Sequence, residues 1–155
     1  MTRQRWLVVA LTVSVLALAL AALPRVFAAV DAHGFIRVKP DELKWQISNS
    51  NTSPDIALLY GDPQKEGFYV LRARFHPGVM SRPHTHPQDR HVTVISGTWW
   101  TGTGTTFEPD KTVPLPPGSY MFHPKGEAHF DGAKDSEVIV EIKGFGPAPT
   151  VPVAQ

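Results

Sequence analysis

Gly78-Val-Met-Ser-Arg-Pro-His84-Thr-His86-Pro-Gln-Asp-Arg90-His-Val-Thr-Val-Ile-Ser-Gly97 carries the densest chemistry in this 155-residue chain. Residues i and i+2 of an extended segment project to one side, so His84 and His86 address one point while Thr85 faces away. Pro83 and Pro87 bracket the pair and bias the backbone towards the extended region this geometry needs. Two neutral imidazoles supply two ligands of a metal site that requires three or four. The rest of the stretch, Val92-Thr-Val-Ile-Ser96, reads as a β-strand that stops at Gly97. Six of the seven histidines fall between His76 and His129.

Outward from this stretch the chain reads as strand after strand. Phe68 to Phe75 alternates Tyr69, Leu71, Ala73 and Phe75 against Val70, Arg72 and Arg74, giving one buried and one wetter face. Glu137 to Lys143 alternates Val138, Val140 and Ile142 against charged neighbours and stops at Gly144-Phe-Gly-Pro147. Shorter strands are expected at 44–48, 55–60, 98–102, 112–115, 119–123 and 127–131. One helical turn fits after Pro40. Short strands joined by Gly/Pro turns predict an all-β sandwich or barrel in a single domain. Trp45, Trp99, Trp100, Phe68, Phe75, Phe122 and the Val/Ile strands are its expected core. Trp99 and Trp100 are adjacent, so at most one of them lines a pocket.

Composition narrows the chemistry further. The chain has no cysteine, so disulfides, thiolate metal sites and cysteine nucleophiles are excluded. Any metal sits on histidine, carboxylate or backbone. No G-x-S-x-G elbow or phosphate-cradling loop is present. The N-terminus opens with Met1-Thr-Arg-Gln-Arg-Trp6 and an uncharged run from Leu7 to Leu23, followed by Val26-Phe27-Ala28, which predicts a signal peptide over 1–28. The organisation expected is therefore a signal peptide at 1–28, a domain at 29–147 and an extended C-terminal tail at 148–155. Such a protein is periplasmic or secreted, and it meets a membrane only through an uncleaved signal segment. Cleavage removes Arg3, Arg5 and Arg25, so the 15 basic residues fall to 12 against 14 acidic ones. With no basic excess or stripe, nucleic acid is not an expected partner.

A second stretch, Gly118-Ser-Tyr-Met-Phe-His-Pro124-Lys-Gly126-Glu-Ala-His129, completes a resemblance. The first stretch, spaced G-x5-H-x-H-x3-R-x6-G, resembles the first motif of the cupin superfamily, and the second resembles the G-x5-P-x-G-x2-H motif that follows it. Pro-x-Asp-Arg before Val-Thr-Val-x-Ser-Gly-Thr also looks like a group of exported bacterial cupins. The resemblance implies a cupin-type jelly-roll β-barrel, a homodimer, and one divalent metal ion (Fe, Zn, Mn, Ni or Cu) on His84, His86 and His129. It departs from the pattern at two places: Arg90 replaces the motif glutamate, and Ala133 replaces an asparagine.

An arginine does not ligate a cation, so three accounts of Arg90 are open. It projects inward and binds an anionic substrate beside a three-histidine site. Alternatively the register slips by one residue and His91 becomes a fourth ligand. In the third account Arg90 pairs with a carboxylate such as Asp89 or Glu127, and the barrel holds no metal. The first account implies a small-molecule metalloprotein of the three-histidine dioxygenase kind, acting on a small anionic or chelating substrate. The other function class is a non-catalytic barrel that captures a small ligand, with or without metal. His123 is read as a rim residue or a hydrogen-bond donor behind the ligands.

Overall fold

A computed structural model describes residues 30–154, so the expected signal segment lies outside the described residues. Among the described residues, ten strands form two antiparallel five-stranded sheets. The first sheet contains β1 (Asp55–Tyr60), β2 (Gly67–Phe75), β9 (Val138–Gly146), β4 (Arg90–Ser96) and β7 (Tyr120–His123), in that spatial order. The second contains β10 (Val151–Pro152), β3 (His84–Thr85), β8 (His129–Gly132), β5 (Trp99–Thr103) and β6 (Val113–Leu115). Two single-turn 3₁₀ segments, Pro40–Glu42 and Pro109–Lys111, are the helices among the described residues.

Period-2 patterning decides which side chains go inside. On β2, Tyr69, Leu71, Ala73 and Phe75 are buried. On β9, Val138, Val140 and Ile142 are buried, and β2 pairs with β9 in unbroken register from Gly67 opposite Gly146 to Phe75 opposite Val138. That pairing carries β9 through Gly144 and Gly146, beyond the turn expected there. Val92 and Val94 of β4 join the core with Trp99 of β5. Phe68 and Phe122, expected inside, instead lie 42% exposed on the outer face, because each is one residue out of phase with its strand's buried set. Of the strand expected at 44–48, a single bridge from Gln46 to Ile56 forms.

Gly97 closes the first histidine stretch for a steric reason. Its φ is +73°, and a Cβ there would lie 2.1 Å from the Glu137 carbonyl oxygen, so the chain can pass β9 closely only with glycine. The C-terminal segment, read from its prolines as an extended tail, is extended and also built into the barrel. Its strand β10 pairs with β3, opposing Val151 to Thr85 and Pro152 to His84.

Candidate metal centre

The site forms where β3, β8, β4 and β7 bring their inward residues between the two sheets. His84 opposes His129 across the β3–β8 pair, and Arg90 opposes His123 across β4–β7. His84, His86 and His129 are buried, and their candidate ligand nitrogens all lie within 4.8 Å of one another. The ring centroids are 4.9 Å apart for His84 and His86, and 4.4 Å apart for His84 and His129.

Each of the three rings has the same backbone anchor. The Nδ1–H of His84 donates to the Arg82 carbonyl at 2.8 Å, that of His86 to the Pro149 carbonyl at 2.9 Å, and that of His129 to the Glu127 carbonyl at 3.1 Å. A carbonyl oxygen only accepts, so Nδ1 must carry the proton in all three rings. Every Nε2 is left with a lone pair, the arrangement in which a histidine ligates a metal through one nitrogen and is oriented through the other. Nε2 of His129 is buried with no protein partner.

Arg90 lies on the inner side, where an NH group of its guanidinium donates to Nε2 of His86. It therefore does not pair with the carboxylates considered for it. Asp89 accepts instead from the backbone N–H of Lys125 at 2.8 Å, and Glu127 is exposed. His91 is not brought to the cluster: it points outward, and its Nδ1 shares a 2.8 Å hydrogen bond with the Tyr120 hydroxyl. The register keeps Val92 and Val94 in the core, and this places the intervening and flanking odd-numbered residues outside.

Two residues that the sequence reading does not place among the ligands complete the site. His123 is 4% exposed, with both ring nitrogens lacking a protein partner; its ring lies 3.9 Å from that of His129 and stacks on Trp99 at 5.7 Å. Asp131 is buried beside it, accepts from Trp99 Nε1–H at 3.3 Å, and stands 4.0 Å from His129 Nε2. His123, His129 and Asp131 thus form a second candidate donor group. Asp131 was legible in principle, since it follows His129 by two residues on one strand, whereas His123 joins the site only through its cross-strand pairing with Arg90.

A family model described as a domain of unknown function, DUF4437, matches residues 37–147. The chain belongs to that family. The DUF4437 fold is that of the cupin-like proteins. RemF, a polyketide cyclase from Streptomyces resistomycificus, superposes with a TM-score of 0.64 at 20% identity, over 78% of this chain and 87% of its own. A cupin-like protein from Thermotoga maritima gives 0.54 at 19% identity, over 67% of this chain and 80% of its own. DddQ, a DMSP lyase from Ruegeria pomeroyi, gives 0.57 at 15% identity, over 72% and 61%. No curated protein matches the chain.

The donors of this DUF4437 site fit a divalent ion. Burial, with the nearby charges of Arg90 and His84, depresses His86 to about 2, and burial with the neighbouring His129 depresses His123 to about 2. Burial likewise lowers His129, which Asp131 partly offsets. These imidazoles are therefore neutral at pH 7, as ligation demands. The same shifts set the acid stability of the metal-free protein. Below the unfolded-state value of about 6.5, unfolding takes up protons that the buried rings refuse, so stability falls with pH by up to ~1.4 kcal/mol per pH unit for each such histidine. The metal-free chain is expected to lose melting temperature steadily from pH 6.5 to pH 4.5 and hold it from pH 7 to pH 8. His123→Leu should make the acid slope shallower. Identical slopes for the two chains would show that His123 is protonated in the fold.

Proposed function

We propose that this chain is an exported metalloenzyme of the cupin type that converts a small anionic or chelating molecule inside its barrel, with oxidation by dioxygen as the reaction. The convergence of three Nε2 lone pairs, each ring held by a backbone carbonyl, carries this reading; that of His86 accepts from Arg90 and is free for an ion once the guanidinium turns to a ligand. A divalent ion on His84, His86 and His129 supplies positive charge and open coordination positions when bound, and a redox-active member of the Fe, Zn, Mn, Ni and Cu set, iron rather than zinc, suits oxidation. Export rests on the basic start and apolar run of residues 1–28.

The chain's own residues account for binding and orientation. A cavity of about 400 Å³ opens beside the histidines, walled by Phe75, Trp99 and Ile142, with His84 and Arg90 at its lining. Its size suits a small molecule, and its apolar walls exclude water from the body of such a ligand. The guanidinium of Arg90 offers planar, charge-assisted donors that match a carboxylate. A second reading, elimination or ring closure without oxygen, is favoured by His123, whose neutral, unpartnered imidazole lines the same cavity and has an N–H free to donate to a developing enolate. The cyclase and the lyase among the fold neighbours are in keeping with it.

Oxygen uptake by the iron-loaded protein, measured over thiols, diketones, flavonols and small carboxylates, tests the proposal. Uptake with one class is expected. For a carboxylate substrate, Arg90→Gln should raise KM by roughly 10–100-fold, the worth of a charged hydrogen bond. Product formation without oxygen uptake would establish the second reading. No turnover with any of the five metals, together with thermal stabilisation by a ligand that needs no metal, would identify a binding barrel.

A further inference from the structure

The strand β3, which carries His84 and leads directly into His86, is two residues long, and its partners are unequal. On one side β3 meets β8 in a single register pair, His84 with His129. On the other it meets β10, with Val151 opposite Thr85 and Pro152 opposite His84. The segment bearing β10 is tied down beyond that pairing. The Ala148 N–H donates to the Pro63 carbonyl at 2.8 Å, and the Val153 N–H donates to the Pro83 carbonyl at 3.1 Å. Between these ties the Pro149 carbonyl accepts from His86 Nδ1, and Thr150 and Pro152 line the cavity. Residues 148–153 thus run as a strap from the β1–β2 turn to the ligand strand. The other two ring anchors, the Arg82 and Glu127 carbonyls, each belong to the residue two positions before the histidine they hold. His86 alone is anchored from a distant part of the chain.

We infer that residues 149–153 are a positioning element of the metal site, which sets the orientation and tautomer of His86 through the Pro149 carbonyl and holds β3 as an interior strand. The inference rests on the proposal that His84, His86 and His129 bind a metal, and it deepens that proposal by assigning a segment that supplies none of the ligands and acts through His86. Without the strap, β3 becomes an edge strand of two residues with one pair, and the entropy of so short a segment opposes the extended geometry that brings His84 and His86 together. His86 also loses the acceptor that keeps its proton on Nδ1, and partners of this kind are worth about 10–100-fold in metal affinity.

Three full-length or shortened chains test this: one ending at Gln155, one ending at Val153, and one ending at Ala148. Zinc affinity is measured by competition with a chromophoric chelator. The chain ending at Val153 should match the full chain, and that ending at Ala148 should bind roughly 10–100-fold more weakly. Equal affinity of all three would overturn the inference. Should the chain ending at Ala148 not fold, Val151→Pro in the full chain replaces it. Val153 and Pro83 form a hydrogen-bonded pair, so the pair two residues along, Val151 with Thr85, is of the same kind, and proline removes its donor. Should the full chain bind no zinc, the metal reading fails, and ring ¹⁵N shifts of the metal-free protein still decide the strap. They are read in an Arg90→Ala background, because Arg90 also engages Nε2 of His86. Protonation of His86 confined to Nδ1 in the long chain and spread over both nitrogens in the short one supports the strap; the same tautomer in both overturns it.

Discussion

Replacing His84 or His129 with alanine is expected to reduce divalent-metal affinity by at least ~100-fold, because each change leaves two of three donors and no neighbouring carboxylate takes the vacated position at His84. The two rings face each other across the β3–β8 pair, so neither substitution removes a strand hydrogen bond. His129→Ala also removes a ring whose Nε2 is buried without a protein partner, so the metal-free variant should fold at least as stably as the parent apart from the space it opens. Elemental analysis of untagged protein, alongside zinc competition, checks the expectation. His91→Ala serves as the control: its ring is exposed and bonded to Tyr120, and full affinity should be retained. Substoichiometric metal in the parent, unchanged in both variants, would leave a metal-free barrel and return the site to ligand capture.

Trp99→Ala should be among the most destabilising single changes in the domain, costing about 3–5 kcal/mol. The indole is 1% exposed, stacks on His123, and donates to the buried Asp131, which loses its side-chain donor when the ring is removed. A loss of that size should lower the melting temperature by roughly 10–20 °C in a domain of this length. Trp100→Ala is the matched comparison. Its ring faces the opposite way, where Lys134 Nζ sits 4.0 Å from the ring centroid. A partly solvated cation–π contact of this type contributes only about 0.5–1 kcal/mol. Urea melts of the two variants measure the difference directly, and equal losses would contradict a β5 phase that turns Trp99 inward and Trp100 outward.

Strand phase is where the sequence is most informative. Alternation in 68–75 and 137–143 announces the inner faces of β2 and β9, and the i, i+2 spacing of His84 and His86 announces two of the converging rings. These are local properties, since side-chain direction along a strand follows from the backbone alone. The spacing of the two histidine stretches then brings His129 to the same point by resemblance to the cupin motifs. Counting large apolar residues places Phe68 and Phe122 inside, and it fails because burial follows phase with the neighbouring residues of the strand rather than size.

The remainder of the site depends on which strands become neighbours. Arg90 is open to three accounts along the chain, and its contact with His86 follows from β4 lying between β9 and β7 with Val92 and Val94 turned into the core. His123 acquires its place only because β7 pairs with β4 opposite Arg90, and nothing within 119–123 encodes that partner. The proline-spaced segment after Pro147 shows the same limit. Its composition dictates an extended chain, since prolines fix φ and withhold donors. Whether that extended chain hangs free or lies along β3 with a carbonyl on His86 depends on the acceptors and donors that distant parts of the fold present to it, and these exist only once the two sheets have closed.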